Sequence, residues 1–170
     1  MMRWIGMLAA LAFVAAMPSK VGAHEVSASD WIAVGERVHG GYGSLIALGV
    51  RIGLDARERL SAQPRDLDVT CFDGEKTACA CVIDGILIAT SASPGQGSLR
   101  VSAEHAPSGI FGTALIRHRK TGAALRYTVP ASAFPKLASI NREQDAKGRH
   151  EAVMGVEASS WFMVERITAP

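Results

Sequence analysis

His39-Gly40-Gly41-Tyr42-Gly43-Ser44-Leu45-Ile46-Ala47-Leu48-Gly49 and, further along, Cys81-Val82-Ile83-Asp84-Gly85-Ile86 decide the reading of this chain. The second stretch continues through Thr90 and closes with Pro94-Gly95-Gln96-Gly97-Ser98-Leu99. In the first, Gly40, Gly41 and Gly43 permit positive φ and close backbone approach around His39. Ser44 then reads as the N-cap of a helix over 45–60, because Leu45, Leu48, Ile52, Ala56 and Leu60 recur at helical spacing on one face. Gly49 and Gly53 notch that helix. Each costs about 1 kcal/mol against Ala, so the notch predicts a closely packed neighbour. A helix N-terminus behind a glycine turn offers free N–H groups to an anion. The plainer alternative is a turn whose histidine is bonded only to backbone.

Outward from these stretches, a short helix is expected over 29–37, with Asp30 near its start, and a strand over 66–72 ending at Asp73-Gly74. Residues 77–90 are ambiguous: β-branched content favours a strand, length a helix. A small-residue loop over 91–98 leads to a strand over 99–103. Residues 112–119 and 123–129 flank Lys120-Thr121-Gly122, a hairpin signal with glycine in the turn. The charged run 141–151 reads as one exposed helix. Helices packed on an antiparallel sheet make the fold class α+β.

The first 23 residues carry the marks of an export signal. Arg3 precedes an apolar run from Ile5 to Met17, and Val21-Gly22-Ala23 has the spacing of a signal-peptidase site. The run is too short to span a bilayer, and Pro18, Ser19 and Lys20 interrupt it. The expected mature protein therefore starts at His24, as a single domain over 24–170 in the periplasm or secreted, with no stable membrane insertion. Of 18 basic and 16 acidic side chains, Arg3 and Lys20 lie in the signal, leaving 16 of each. That balance excludes an electrostatic footprint for nucleic acid or anionic membrane. Export would place Cys71, Cys79 and Cys81 in an oxidising compartment. If a disulfide forms, Cys71 with either of the others is favoured over the strained adjacent-but-one pair; three buried, reduced thiols are the alternative.

The two glycine-punctuated stretches together resemble the core of the FmdE family of formylmethanofuran dehydrogenase proteins (FmdE-like proteins). That family shows His-Gly-His-x-Cys-Pro-Gly before a helix. It then shows Cys-x-x-Asp-(Gly/Ala)-(Ile/Val)-Gln-x-x-Thr-Gly-Cys-Thr-x-Gly-Lys-Gly-Asn. His39, Cys81, Asp84, Thr90 and the glycine framework match. Gly41 replaces the second His, Gly43-Ser44 the Cys-Pro, Leu87 the Gln, Ala92 the second Cys, Gln96 the Lys and Ser98 the Asn. The resemblance implies two main helices on an antiparallel sheet. It makes 77–90 a helix, with Cys81, Asp84 and Ile88 on one face, and Trp161 to Glu165 the closing strand. The cysteine-rich zinc finger that follows the core in some relatives is not expected here, since the sequence has no Cys-x-x-Cys pair.

For function, the resemblance implies a pocket between the His39 turn, the Cys81 helix and the 91–98 loop. The expected ligand-binding residues are His39, Tyr42, Thr90 and Gln96. Those expected to hold a divalent metal, zinc or another transition ion, are His39, Cys81 and Asp84, since thiolate, carboxylate and imidazole are all metal ligands. The missing Cys, His and Lys remove a nucleophile, a ligand and a cation, so a mechanism that relies on them cannot operate unchanged. Formylmethanofuran oxidation itself is not expected of an exported single domain, because the resemblance assigns that cytoplasmic redox chemistry to other subunits. An accessory protein binding a metal ion or small ligand is the leading expectation. The alternatives are an enzyme with His39 as base and Cys81 as nucleophile, and a degenerate structural module. A homodimer built around the pocket is compatible with all three.

Overall fold

Glycine-to-glycine contact between two helices organises the structure, a computed structural model that describes residues 26–168 apart from 76 and 78. The expected signal and the mature terminus at His24 lie outside the described residues. The first helix, α1, covers Ala28–His39. Ser27 and Asp30 form a capping box at its start, and Gly40 ends it in the left-handed region at φ 85°. The second helix, α2, covers Ser44–Arg59, and the third, α3, covers Cys81–Thr90.

A Cβ on Gly85 would lie 2.7 Å from the Gly49 Cα and the Val50 N, and one on Gly53 would lie 2.6 Å from the Ala89 Cβ. Gly49 thus faces Gly85, and Gly53 faces Ala89. Positions rise together along the two chains, so α2 and α3 run parallel and bring both N-termini to one end. The notch read from Gly49 and Gly53 is filled by α3.

Five strands form the sheet: β1 (Leu67–Asp73), β2 (Leu99–Val101), β3 (Ile110–His118), β4 (Ala124–Pro130) and β5 (Met163–Ile167), in the order β2-β1-β3-β4-β5. Most pairs are antiparallel, including the β3–β4 hairpin. The fold is α+β, as expected, with one difference: β1 and β2 are parallel. Parallel neighbours need a crossover, and α3 is that crossover. It follows that Cys81 opens a helix just beyond the C-terminal end of β1.

Leu67, Val69 and Cys71 alternate inward on β1, as do Leu125, Tyr127 and Val129 on β4. They meet Ile46, Ile52 and Ala56 of α2 in the core. Burial around most of its circumference makes α2 the central helix. Its Asp55 carboxylate accepts from the Tyr127 hydroxyl at 2.6 Å, a polar tie between α2 and the sheet.

The expected single helix over 141–151 is two helices, α4 (Phe134–Glu143) and α5 (Ala146–Met154). Asp145 breaks the run as N-cap of α5, its carboxylate accepting from the Gly148 N–H at 2.8 Å. The run is also not simply a solvated face, because His150 is buried. The α2 N-cap is Gly43 instead of Ser44: the Ser44 hydroxyl donates to the Leu137 carbonyl at 2.8 Å, and Asn141 Oδ1 accepts from the Ser44 N–H at 3.1 Å. Helix over 77–90 begins only at Cys81. The closing strand starts at Met163, behind Trp161 and Phe162, which are both core residues. Among the described residues, no helix is long and apolar enough to cross a membrane.

The α2–α3 contact makes a direct prediction. Gly85→Ala would drive a methyl into α2 backbone that has no side chain to move aside, and is expected to cost about 3 kcal/mol or more in urea denaturation. Gly41→Ala, with nothing within 4 Å of its Cβ and no positive φ, should stay within about 0.5 kcal/mol of the parent. Equal effects would show that the close approach is not what holds α3.

Candidate functional site

Parallel packing of α2 and α3 brings the His39 turn beside the start of α3. His39 is the last residue of α1, and its Nδ1 donates to Asp84 Oδ2 at 2.7 Å. Both side chains remain accessible, at 31% and 37%. With Nδ1 committed to Asp84, Nε2 is the nitrogen left to act on something else.

Cys81 is the first residue of α3, and no side chain caps that helix. The partial positive charge of an uncapped N-terminus favours negative charge on a sulfur placed there. Cys81 is bonded to Cys79, the Cα atoms lying 5.2 Å apart across Ala80. This corrects the expected pairing through Cys71. Cys71 points from β1 into the core, 2% exposed and free, and burial pushes its thiol up to about 12.

A cavity of about 580 Å³ opens in front of these groups. One wall is the His39–Ile46 segment, and Cys79 and Cys81 form a second. The third wall comes from α4 and α5, with Phe134, Ala138, Asn141, Arg142 and Arg149. Arg149 is anchored through backbone, its Nη2 donating to the Asn141 carbonyl at 2.7 Å and its Nη1 to the Tyr42 carbonyl at 3.2 Å. Its buried Nε has no protein partner.

Tyr42 lines the cavity while its hydroxyl points inward to His150 Nδ1 at 2.7 Å. Burial pushes the Tyr42 hydroxyl up and His150 down. Both are therefore neutral, and the tyrosine O–H donates to an imidazole protonated at Nε2.

The structure brings His39, Tyr42, Cys81 and Asp84 to one end of α3. Thr90 and Gln96 stand at the other end, roughly 13 Å along the helix by its rise per residue. The Thr90 hydroxyl donates to the Ile86 carbonyl at 2.7 Å and accepts from the Ala92 N–H at 3.2 Å. Gln96 accepts from Arg65 Nε and donates to the Ser91 carbonyl, both at 3.3 Å. The 91–98 loop does not line the cavity; α4 and α5 take that place.

Sequence reasoning missed Cys79, Asn141, Arg149 and His150 as site residues. Cys79 had a visible signal in the Cys-x-Cys spacing. The other three sat inside a charged run whose polar composition concealed their contacts. His39, Cys79 and Cys81 form the one group of potential metal ligands found among the described residues, their donor atoms all within 4.8 Å of one another.

Residues 38–169 match the family described as FmdE, molybdenum formylmethanofuran dehydrogenase operon. The chain belongs to the FmdE family. No curated protein matches it. Within this FmdE domain the matched region takes in α2, α3, the whole sheet and all three walls of the cavity.

Two predictions follow the titrating groups. His150 holds a lowered pKa when folded, so below its ordinary value of 6.5 the unfolded chain binds the proton more readily. Its contribution to stability is present above that value and is lost as pH falls below it. Melting temperature is expected to drop between about pH 7 and pH 5, and less steeply in His150→Gln, whose amide can still accept from Tyr42. Iodoacetamide should label neither Cys79 nor Cys81 in the oxidised native protein, both after reduction, and Cys71 only after unfolding. Peptide mass spectrometry reads the order; fast native labelling of Cys71 would contradict its placement.

Proposed function

We propose that this FmdE-family protein binds a divalent transition metal, zinc by its donor chemistry, in its reduced form and in an accessory role distinct from formylmethanofuran oxidation. We also place that role after export, in the periplasm or outside the cell, on the strength of the first 23 residues. The observation that carries the metal reading is the convergence of His39, Cys79 and Cys81. Two thiolates and one imidazole make a three-ligand zinc set, with a fourth position left for water or a small ligand from the cavity. Two thiolates also neutralise a divalent cation, which matters beside Arg142, Arg149 and two helix N-termini.

Asp84 takes a supporting place in this reading. A metal-bound histidine commonly donates its other N–H to a carboxylate, which fixes the ring and raises its basicity. The His39–Asp84 bond has that form. The family motif carries a cysteine where this chain has Gly43. Cys79, which lines the same cavity, would supply the second sulfur in its place.

Metal binding requires an open disulfide. A tetrahedral zinc at about 2.3 Å from each sulfur needs the sulfurs about 3.8 Å apart, which a bonded pair cannot reach. Reduced protein dialysed against zinc is therefore expected to retain one ion per chain by elemental analysis, and oxidised protein none. Cys81→Ala and His39→Ala should abolish retention, and Asp84→Asn should weaken affinity about 10–100-fold. Reduced, folded protein that retains no stoichiometric metal would overturn the reading.

A further inference from the structure

We propose that Cys79 and Cys81 form a redox-active pair that exchanges with a small anionic thiol and its disulfide, Cys81 bonding the substrate and Cys79 resolving it. This goes beyond metal binding and does not rest on it, although the two uses share both sulfurs and exclude each other at any moment.

The first observation is which cysteines are joined. Cys71 lies in the core as an inert thiol, whereas the bonded pair lines the cavity. A bridge across a single intervening residue closes almost no loop, so it restricts the unfolded chain very little. Chain stabilisation therefore gives no account of it. Its surroundings do. Cys81 begins α3, where helix N–H groups favour a thiolate, and His39 lies within 4.8 Å of both sulfurs with its Nδ1 held by Asp84.

The second observation is the cavity. Its volume of about 580 Å³ suits a molecule of small-peptide size and not a folded protein. Arg142 and Arg149 line the same cavity as the sulfurs. Among the described residues, the Nε of Arg149 is buried and without a partner, and nothing acidic joins Arg142 and Arg149 in the lining. A carboxylate-bearing thiol complements that charge; a cationic thiol does not.

The chemistry balances without a further reactant. In the dithiol form, Cys81 gives its proton to His39 Nε2 and its thiolate attacks one sulfur of RSSR. The Cys81–S–R bond forms, the substrate S–S bond breaks, and the departing RS⁻ takes the proton from His39. Cys79 then passes its proton to His39 and attacks Cys81 Sγ, closing the disulfide and releasing the second RS⁻, which takes that proton. The protein loses two electrons and two protons, and RSSR gains both to give two RSH. The reverse course oxidises two RSH.

Glutathione, an anionic tripeptide thiol, and cysteamine, a cationic one, serve as probes, each with its disulfide and with chelator present to keep metal out. Acid-quenched alkylation and mass spectrometry of the full protein read the outcome. Oxidised protein is expected to react with glutathione about tenfold faster than with cysteamine, after correction for intrinsic thiol reactivity. Arg142→Ala, at an exposed position, should remove most of that preference, slowing glutathione and easing the repulsion of cysteamine. Cys79→Ser should accumulate a mixed disulfide at Cys81, which Cys81→Ser should fail to form at Cys79. A pair that neither thiol reduces, or a Cys79→Ser protein that traps no glutathione, overturns the proposal. Equal rates for the two thiols overturn the anionic substrate class. Zinc retention by reduced protein is scored separately, so exchange without zinc sinks only the metal reading and zinc without exchange sinks only this one.

Discussion

Everything at the candidate site depends on how closely α2 and α3 approach. Gly49 against Gly85, and Gly53 against Ala89, let two backbones meet where any larger side chain would hold them apart. The cost is the conformational freedom of three glycines inside helices, roughly 1 kcal/mol each. The return is rigidity at a chosen register. Because the helices are parallel, the contact aligns their N-termini and sets His39, at the entrance to α2, within hydrogen-bond distance of Asp84 in the first turns of α3. An antiparallel pair with the same glycines would have sent His39 to the far end.

The topology of the sheet enforces that direction. Since β1 and β2 are parallel neighbours, α3 must return along the length of the sheet and start near the end of β1. The loop that carries Cys79 is the turn between strand and crossover helix. Ligand sites in α/β units collect at that position, outside the carboxyl end of a strand. Here one such unit is set into an otherwise antiparallel sheet. Its effect is to place the sulfur pair where α4 and α5 can fold over and enclose it.

Much of this was legible from the chain and some of it was not, for identifiable reasons. Gly49 and Gly53 announced a tight neighbour because glycine in a helix interior is unfavourable unless something packs there. The β3–β4 hairpin was legible in Lys120-Thr121-Gly122, since turn chemistry is local. The Ser44 cap misled because its hydroxyl had a better acceptor in the distant Leu137 carbonyl, a tertiary contact that overrides local preference. The α4–α5 wall was hidden for the same reason: Asn141, Arg149 and His150 look like surface residues until the segment folds back onto the Tyr42 turn. The cysteines were misread on strain. The rule against adjacent-but-one bridges concerns cost, and it said nothing about where β1 holds Cys71, buried and free in the core.

The same cost bears on function. A disulfide that staples distant segments is retained because it restricts the unfolded chain; one that spans Ala80 has almost nothing to restrict. Its two states therefore differ chiefly in what the sulfurs can do at the cavity wall. Open, they join His39 as three donors with charge to match a divalent cation. Closed, they withdraw that charge and leave Arg142, Arg149 and two helix N-termini facing a positively polarised cavity, which draws anions. On the two uses proposed for the pair, the oxidation state of one short bridge would select between cation and anion at a single place. The fold around it is pinned by glycine contact between α2 and α3 and by the Tyr42–His150 bond, so the parting of the two sulfurs would be a local change at the start of α3.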